Sequence, residues 1–246
     1  MKIALIGYGK MGKEIERLAL ERGDEIVLTI DSKSPPPSAG TAGKADVAIH
    51  NATPSSVVGH VRQWSEWGKP LVIGTTGWYD ALPEVRAIAQ KNNTGVVYAS
   101  NFSIGVNIMF SLVNQGGKIL DKLPEYDAFI HEIHHKEKLD SPSGTALTLA
   151  DLLIRQLHRK KEILAKNPEG KIRPDQLAVA STRAGSVVGT HRVTFDSGAD
   201  TIEITHTAKN RSGFALGALL AAAWIGRKSG VFTMEDVLAD FLKTGE

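Results

Sequence analysis

The chain has 246 residues, 42% hydrophobic and 23% charged, with a formal net charge of +2 and no cysteine. That length holds one large domain or two small ones; the net charge is too small to suggest a nucleic-acid or membrane partner by itself, and the lack of cysteine excludes disulfides and thiolate catalysis. The apolar run inside MKIALIGYGKMG leads into glycines and charges rather than a cleavage site, and GFALGALLAAAWIG (213–226) is shorter than the roughly 20 residues that span a bilayer, so a cytoplasmic protein acting on small molecules is expected.

Residues 2–6 (KIALI) predict a strand buried on both faces. It ends at Gly7-Tyr8-Gly9-Lys10-Met11-Gly12, a G-x-G-x-x-G loop. A helical pattern follows, with Met11, Ile15, Leu18 and Ala19 on one face and a stop at Gly23. Residues 25–30 predict a second strand closing on Asp31, 19 positions beyond Gly12, near the spacing of about 20 at which an acid grips the adenine ribose of a dinucleotide. Gly7 permits the tight turn, Gly9 lets backbone approach a pyrophosphate, and Gly12 lets helix and sheet pack closely. The helix N-terminus offers N–H groups and partial positive charge to the anion. Asp31 favours a free 2′-hydroxyl and hence NAD; Lys10 and Lys33 pull the other way, which leaves the cofactor open between NADH and NADPH.

Strand and helix continue to alternate: strand 45–49, helix 55–67, strand 70–73 running into Gly74-Thr75-Thr76-Gly77, helix 82–91, and strand 95–98 running into Ala99-Ser100-Asn101-Phe102-Ser103. This pattern predicts a parallel doubly wound sheet of the Rossmann-like α/β class, with ligand at the carboxyl ends of its strands. The prolines of 34–38 predict a loop beside the adenosine.

From about Gly105 the pattern changes. Residues 106–120 read as helix and 126–135 as strand. Residues 145–157 read as helix with Leu149, Leu152, Leu153 and Leu157 as its apolar face. Stretches 187–195 and 201–207 alternate around the turn DSGAD, which predicts an antiparallel hairpin. Residues 214–228 and 234–243 read as helices, the second with Thr233 and Asp236 in a capping arrangement. The expected domains are a dinucleotide-binding domain (1–104 with 213–246) and a second α+β domain for substrate binding and oligomerisation (105–212).

The stretch HEIHHKEKLDSPSGTA (131–146) poses the chemical question. His131-Glu132-Ile133-His134-His135 matches the H-E-x-x-H zinc signature, which works only on a helix, where residues four apart share one ion. The surrounding β-branched and aromatic residues predict a strand, on which His131 and His135 lie roughly 13 Å apart at ~3.3 Å per residue. One zinc cannot join them, so no metal is expected. Strand histidines without a role are the plain alternative. A substrate site is the other: His134 and His135 close the strand, Lys138 follows, and Ser143-Gly144-Thr145 opens a capped helix. A helix N-terminus with a lysine is a receptor for a carboxylate, and a neighbouring histidine can donate a proton near neutral pH.

HHKEKLDSPSGTA closely resembles the E-x-H-H-x-x-K-x-D-x-P-S-G-T-A signature of the 4-hydroxy-tetrahydrodipicolinate (dihydrodipicolinate) reductase family. GYGKMG, GTTGW, ASNFSIGVN, RAGSVVGTH (183–191) and ITHTAKNRSGFALGAL extend the likeness over nearly the whole chain. The resemblance implies NAD(P)H-dependent reduction of a small dicarboxylate, 4-hydroxy-tetrahydrodipicolinate, with loss of water, in lysine and diaminopimelate biosynthesis. It implies His134 as proton donor and Lys138 as the polarising cation, with His135, Ser143, Gly144 and Thr145 at the substrate carboxylate. Gly7, Gly9, Lys10, Met11, Gly12, Asp31, Gly74, Thr75, Thr76, Ala99, Ser100, Asn101 and Phe102 fall at the cofactor, and the assembly implied is a homotetramer without metal. Two positions depart from the family pattern. His50-Asn51-Ala52-Thr53-Pro54 stands where an Asp-Phe-Thr or Asp-Phe-Ser run is common, and Ser32 stands where NADPH-using members often carry arginine, which leans the cofactor toward NADH. An amino-acid dehydrogenase acting on diaminopimelate and a nucleotide-sensing regulator are the competing readings; only catalysis needs His134 and Lys138 beside the helix opening.

Overall fold

The computed structural model describes residues 1–166 and 170–243, with side chains described through Phe241. Residues 167–169 and 244–246, which fall inside the two expected domains, lie outside the described residues. The chain divides into two compact units: Met1–Ile104 with Arg211–Glu246, and Gly105–Asn210.

In the first unit, β1 (Lys2–Ile6), β2 (Glu25–Ile30), β3 (Val47–His50), β4 (Leu71–Ile73), β5 (Gly95–Tyr98) and β11 (Gly230–Thr233) form one sheet in the order β11-β5-β4-β3-β1-β2. Every neighbouring pair is parallel. The alternate residues of β1 show why KIALI carries no polar alternation. Ile3 and Leu5 join one core with α1 (Lys10–Glu21), α7 (Ser212–Ile225) and α8 (Met234–Lys243), whereas Ala4 and Ile6 join another with α3 (Val57–Glu66) and α4 (Leu82–Lys91). A sheet covered on both faces has no polar side to show. The strand order reverses between β1 and β3, and their carboxyl ends, Gly7 and Asn51, mark the switch point where such sheets bind ligands. α2 (Ala39–Ala42) is a single turn capped by Ser38. Thr233 and Asp236 cap α8: the Asp236 carboxylate accepts from Thr233 N at 2.7 Å.

In the second unit, the strands are β6 (Asp127–His134), β7 (Glu162–Leu164), β8 (Gln176–Arg183), β9 (Gly189–Asp196) and β10 (Thr201–Ala208), ordered β10-β9-β6-β8-β7. β9 and β10 form the antiparallel hairpin predicted around DSGAD, and β9 also runs antiparallel to β6; β6, β8 and β7 are parallel. α5 (Ile104–Leu120) and α6 (Gly144–Gln156) share a core with one face of this sheet, through Met109, Val113, Leu149, Leu153, Ile130, Val179, Val193 and Phe195. Three strands are absent from the sequence-based elements. β7 and β11 have only three and four residues, and β8 ends in the polar run Ser181-Thr182-Arg183, which breaks the apolar alternation of a strand. Helix 55–67 is realised as a 3-10 turn at Pro54–Ser56 followed by α3.

Candidate active site

Strand geometry settles what H-E-x-x-H is. Along β6 burial alternates strictly, with Ala128, Ile130, Glu132 and His134 buried and Phe129, His131 and Ile133 on the other face. His131 therefore points away from Glu132 and meets Thr182 Oγ1 at 3.0 Å, while His135 lies beyond the strand. The motif cannot form a helical zinc site.

The inward face of β6 instead meets the inward face of β9. Glu132 is the cross-strand partner of His191, and Gly189 lies beside the His134 ring, where a Cβ on the glycine would come within 2.9 Å of Nε2. Glu132 is completely buried. Its Oε2 contacts His134 Nδ1; its Oε1 accepts from Arg183 Nη2 at 2.6 Å and from Ser143 N at 3.2 Å. Burial pushes the Glu132 carboxyl up, but the Arg183 hydrogen bond and the charges of His134 and Arg183 outweigh it and hold the group below its ordinary range. Burial depresses the His134 imidazole; Glu132 pulls it back up, and Lys138 and Arg183 add to the depression. The His191 ring stands edge-on to His134 with centroids 5.1 Å apart. Burial, followed by the charge of His134, lowers the His191 imidazole to about 4, so it is neutral near pH 7.

Lys138 Nζ pairs with Asp140 Oδ1 at 2.7 Å, and Arg183 Nη2 donates to the Asp140 carbonyl at 2.7 Å. Ser143, expected at the substrate, is turned inward. It is 3% exposed, its Oγ caps α6 by accepting from Ala146 N at 3.2 Å, and the same oxygen lies 3.0 Å from His191 Nε2. Gly144 and Thr145, one step further, are exposed and half-buried, and a Cβ at Gly144 would meet nothing within 4 Å. The first turn of α6 thus lies nearer the surface, with Ser143 beneath it.

Glu132, His134 and His191 are also the one cluster among the described residues whose ligand atoms lie within 4.8 Å of one another. Its carboxylate is already matched by the Arg183 guanidinium, and Lys138 adds a second positive charge nearby. That balance suits proton traffic better than a divalent cation.

The dinucleotide loop meets the steric demands placed on it. Gly7 has φ +94°, and a Cβ there would lie 2.3 Å from Asn51 O; a Cβ on Gly12 would lie 2.4 Å from Gly7 O. Around Gly9 a Cβ would meet nothing within 4 Å, and no side chain caps α1, an arrangement compatible with an anion at a helix start. Lys10 is exposed and Met11 packs partly against the core. Asp31 Oδ1 accepts from Lys33 N at 2.8 Å and Ser34 Oγ at 3.0 Å. These bonds, the first above all, hold its carboxyl below the usual range and keep it ionised.

Gly74 converges on the same point as Gly7, since its Cβ would lie 2.4 Å from Asn51 Oδ1. Thr75 is turned inward: its Oγ1 lies 2.8 Å from His50 Nδ1, and its carbonyl accepts from Trp78 Nε1 at 2.8 Å. His50 is fully buried, with its Nε2 3.0 Å from His60 Nδ1. Burial, then the neighbouring His60, lowers it to about 4. Phe102 also turns inward, into the core with α7, and Asn101 Oδ1 accepts from Ser103 N at 2.8 Å. Thr76 and Ser100 are exposed and Ala99 is half-buried. Arg183, Gly189 and His191 are the residues to which no role was assigned from sequence. The signal for the last two is parity, because Gly189 and His191 stand two apart on a strand that faces Glu132 and His134.

A doubly wound sheet with an open glycine loop, in a chain whose second unit carries a buttressed histidine beside a helix N-terminus, defines a nicotinamide-nucleotide-dependent oxidoreductase. The family model for the N-terminus of dihydrodipicolinate reductase matches residues 1–102 and that for its C-terminus matches 105–238. The chain belongs to the dihydrodipicolinate reductase family. It is 41% identical to the 4-hydroxy-tetrahydrodipicolinate reductase of Christiangramia forsetii, covering 99% of this chain and 100% of that one, and 37% identical to the Aquifex aeolicus protein of that name, covering 94% and 95%. Among solved structures it is similar in fold to dipicolinate-bound dihydrodipicolinate reductase from Paenisporosarcina sp. TG-14, with TM-score 0.79, 23% identity, and 95% and 97% of the two chains covered. No helix among the described residues is long and apolar enough to cross a membrane.

Proposed function

We propose that the protein reduces 4-hydroxy-tetrahydrodipicolinate to tetrahydrodipicolinate with loss of water, His134 serving as proton donor. The observation that carries this reading is the Glu132-held His134 imidazole in the same unit as the exposed first turn of α6, within a chain of this family. Gly144 and Thr145 receive a substrate carboxylate through the helix N-terminus, with His135 alongside. Lys138, its ammonium held by Asp140, polarises the reacting group. Ser143 supports this receptor from below by capping the helix.

Bound NADH or NADPH supplies the hydride. Gly7, Gly9, Lys10, Met11 and Gly12 form the pyrophosphate loop, Asp31 takes the ribose, and Gly74, Thr75, Thr76 and residues 99–102 form the wall around the nicotinamide, with Thr75 and Phe102 contributing backbone. The ionised Asp31, followed by Ser32 rather than arginine, repels a 2′-phosphate and favours NADH. Residues 1–104 with 213–246 bind the dinucleotide, and 105–212 bind substrate and assemble the oligomer. Phe129 and Ile202, 40% and 44% exposed on the second sheet, support a homotetramer, which light scattering measures directly. The test of the activity is consumption of NADH or NADPH by pure protein with freshly generated 4-hydroxy-tetrahydrodipicolinate. Its absence with both nucleotides removes the reading.

A further inference from the structure

Glu132 is the most deeply buried charged group beside the candidate proton donor, and no role in the reaction has yet been given to it. Its two oxygens face different tasks. Oε2 is against His134 Nδ1; Oε1 holds both the Arg183 guanidinium and the backbone N–H of Ser143. One rigid carboxylate therefore touches the proton donor and the cap of the helix that receives the substrate carboxylate. Arg183 in turn spans Glu132 and the carbonyl of Asp140, the residue that pairs with Lys138. Every polar group in the arrangement leads back to this ion pair.

We propose that Glu132, clamped by Arg183, is a positioning residue that holds His134 by Nδ1 and presents Nε2 as the proton-donating atom at a fixed distance from the opening of α6. The proposal rests on the reading of His134 as the acid. The carboxylate in contact at Nδ1 favours a proton on that nitrogen, which leaves Nε2 to exchange the other. The absence of a side chain at Gly189 leaves room for that edge of the ring. The balance of charge sets how firmly the proton is held. The groups around His134 are Glu132 on its own strand, Arg183 at the end of β8, His191 on β9 and Lys138 in the following loop; His191 is neutral near pH 7 and itself faces His206 on β10. Glu132 is the one negative charge of this set, and Arg183 is the counter-charge that moderates it.

Removal of the two partners must therefore act in opposite directions. Glu132→Gln keeps the size of the side chain and deletes its charge, so His134 holds its proton less tightly. Arg183→Gln unmasks the Glu132 charge and removes a cation, so His134 holds it more tightly. The experiment is an imidazole NMR titration of the full chain, with the His134 resonance assigned among the eight histidines by its loss in His134→Gln. The pH profile of kcat is recorded in parallel.

The expected result is a His134 midpoint lowered by about one pH unit in Glu132→Gln, a tenfold loss of proton affinity, and raised in Arg183→Gln. The limb of the rate profile should move with it. Shifts of the same sign in both variants, or none larger than about 0.3 unit, overturn the proposal, because a merely structural pair would change stability without this sign pattern. Should Glu132→Gln fail to fold, Arg183→Gln decides alone, and a lowered or unmoved midpoint refutes. The NMR titration reports on Glu132 even if wild-type protein proves inactive on the proposed substrate, so the two failures are distinguishable.

Discussion

Gly189→Ala probes the site most directly, since it adds one methyl group and leaves every titratable residue in place. The glycine lies in an ordinary stretch of β9 without positive φ, so its backbone accepts alanine. The new Cβ would stand 2.9 Å from His134 Nε2 and 3.2 Å from Cδ2. Carbon contacts are comfortable at about 3.5 Å or more, so the ring must retreat by about 0.5 Å or tilt against Glu132. A misplacement of about 1 Å at a reacting group costs up to about a hundredfold, and half of that displacement predicts a fall in kcat of about tenfold. Overpacking costs about 1–3 kcal/mol, partly offset by the stiffer unfolded chain, so the variant should fold with a slightly lower Tm. Dipicolinate affinity should change less than threefold, by analogy with the roughly neutral outcome of surface changes, because the α6 opening is untouched. Steady-state kinetics with NADH, a thermal melt and a dipicolinate titration measure the three quantities. A folded variant with kcat within about twofold of wild type would show that His134 does not deliver the proton from this position.

Gly9→Ala should leave Tm unchanged and weaken NADH binding about tenfold or more, since its Cβ enters the space left for the pyrophosphate; Gly12→Ala should lower Tm, since its Cβ would meet Gly7 O at 2.4 Å. Nucleotide fluorescence titrations and melts separate the two, and equal behaviour would contradict the loop assignment. His134→Ala should chiefly lower kcat, and Lys138→Ala should harm both kcat and KM; negligible effects from both would remove their roles. His50 and His191 are each held near 4 in the folded chain against an ordinary 6.5. Below 6.5 the unfolded chain takes up protons that the folded chain refuses, so stability is complete above that pH and falls as the pH drops toward 4. By linkage each imidazole contributes on the order of 3 kcal/mol to that loss. Urea melts at about pH 7 and about pH 4.5 should show the decline, smaller in His50→Asn, and a flat profile would refute buried neutral imidazoles.

The first unit was legible because its signals are local. A run such as KIALI, a glycine loop and an acid at the next strand end each specify one element, and β1, β2, α4 and β5 fall at the predicted residues. The second unit was legible in its helices, in β6 and in its hairpin but not in β7 and β8, and the first unit hid β11; these three strands depend on partners distant in sequence. The candidate site divides the same way. HHKEKLDSPSGTA points to His134, Lys138 and the helix opening, yet the partners of His134 come from positions about fifty residues downstream, 183 and 191, and only strand pairing brings them beside it. Ser143 was assigned to substrate because a hydroxyl at a helix start suits an anion; the fold adds that its Oγ is buried, capping α6 beside His191. His50 marks a departure from the family pattern in sequence, and the fold resolves it as a buried prop under Thr75.

The alternation along β6 makes this strand a two-sided message with a fixed reading frame. Exchanging a letter on the side of Phe129 and His131 leaves the proton-handling side intact, so that side can drift with whatever it adjoins. Deleting one residue before Glu132 would invert every later position, sending Glu132 and His134 outward and Ile133 into their place. Within these eight residues the protein should accept many spellings but no change of length.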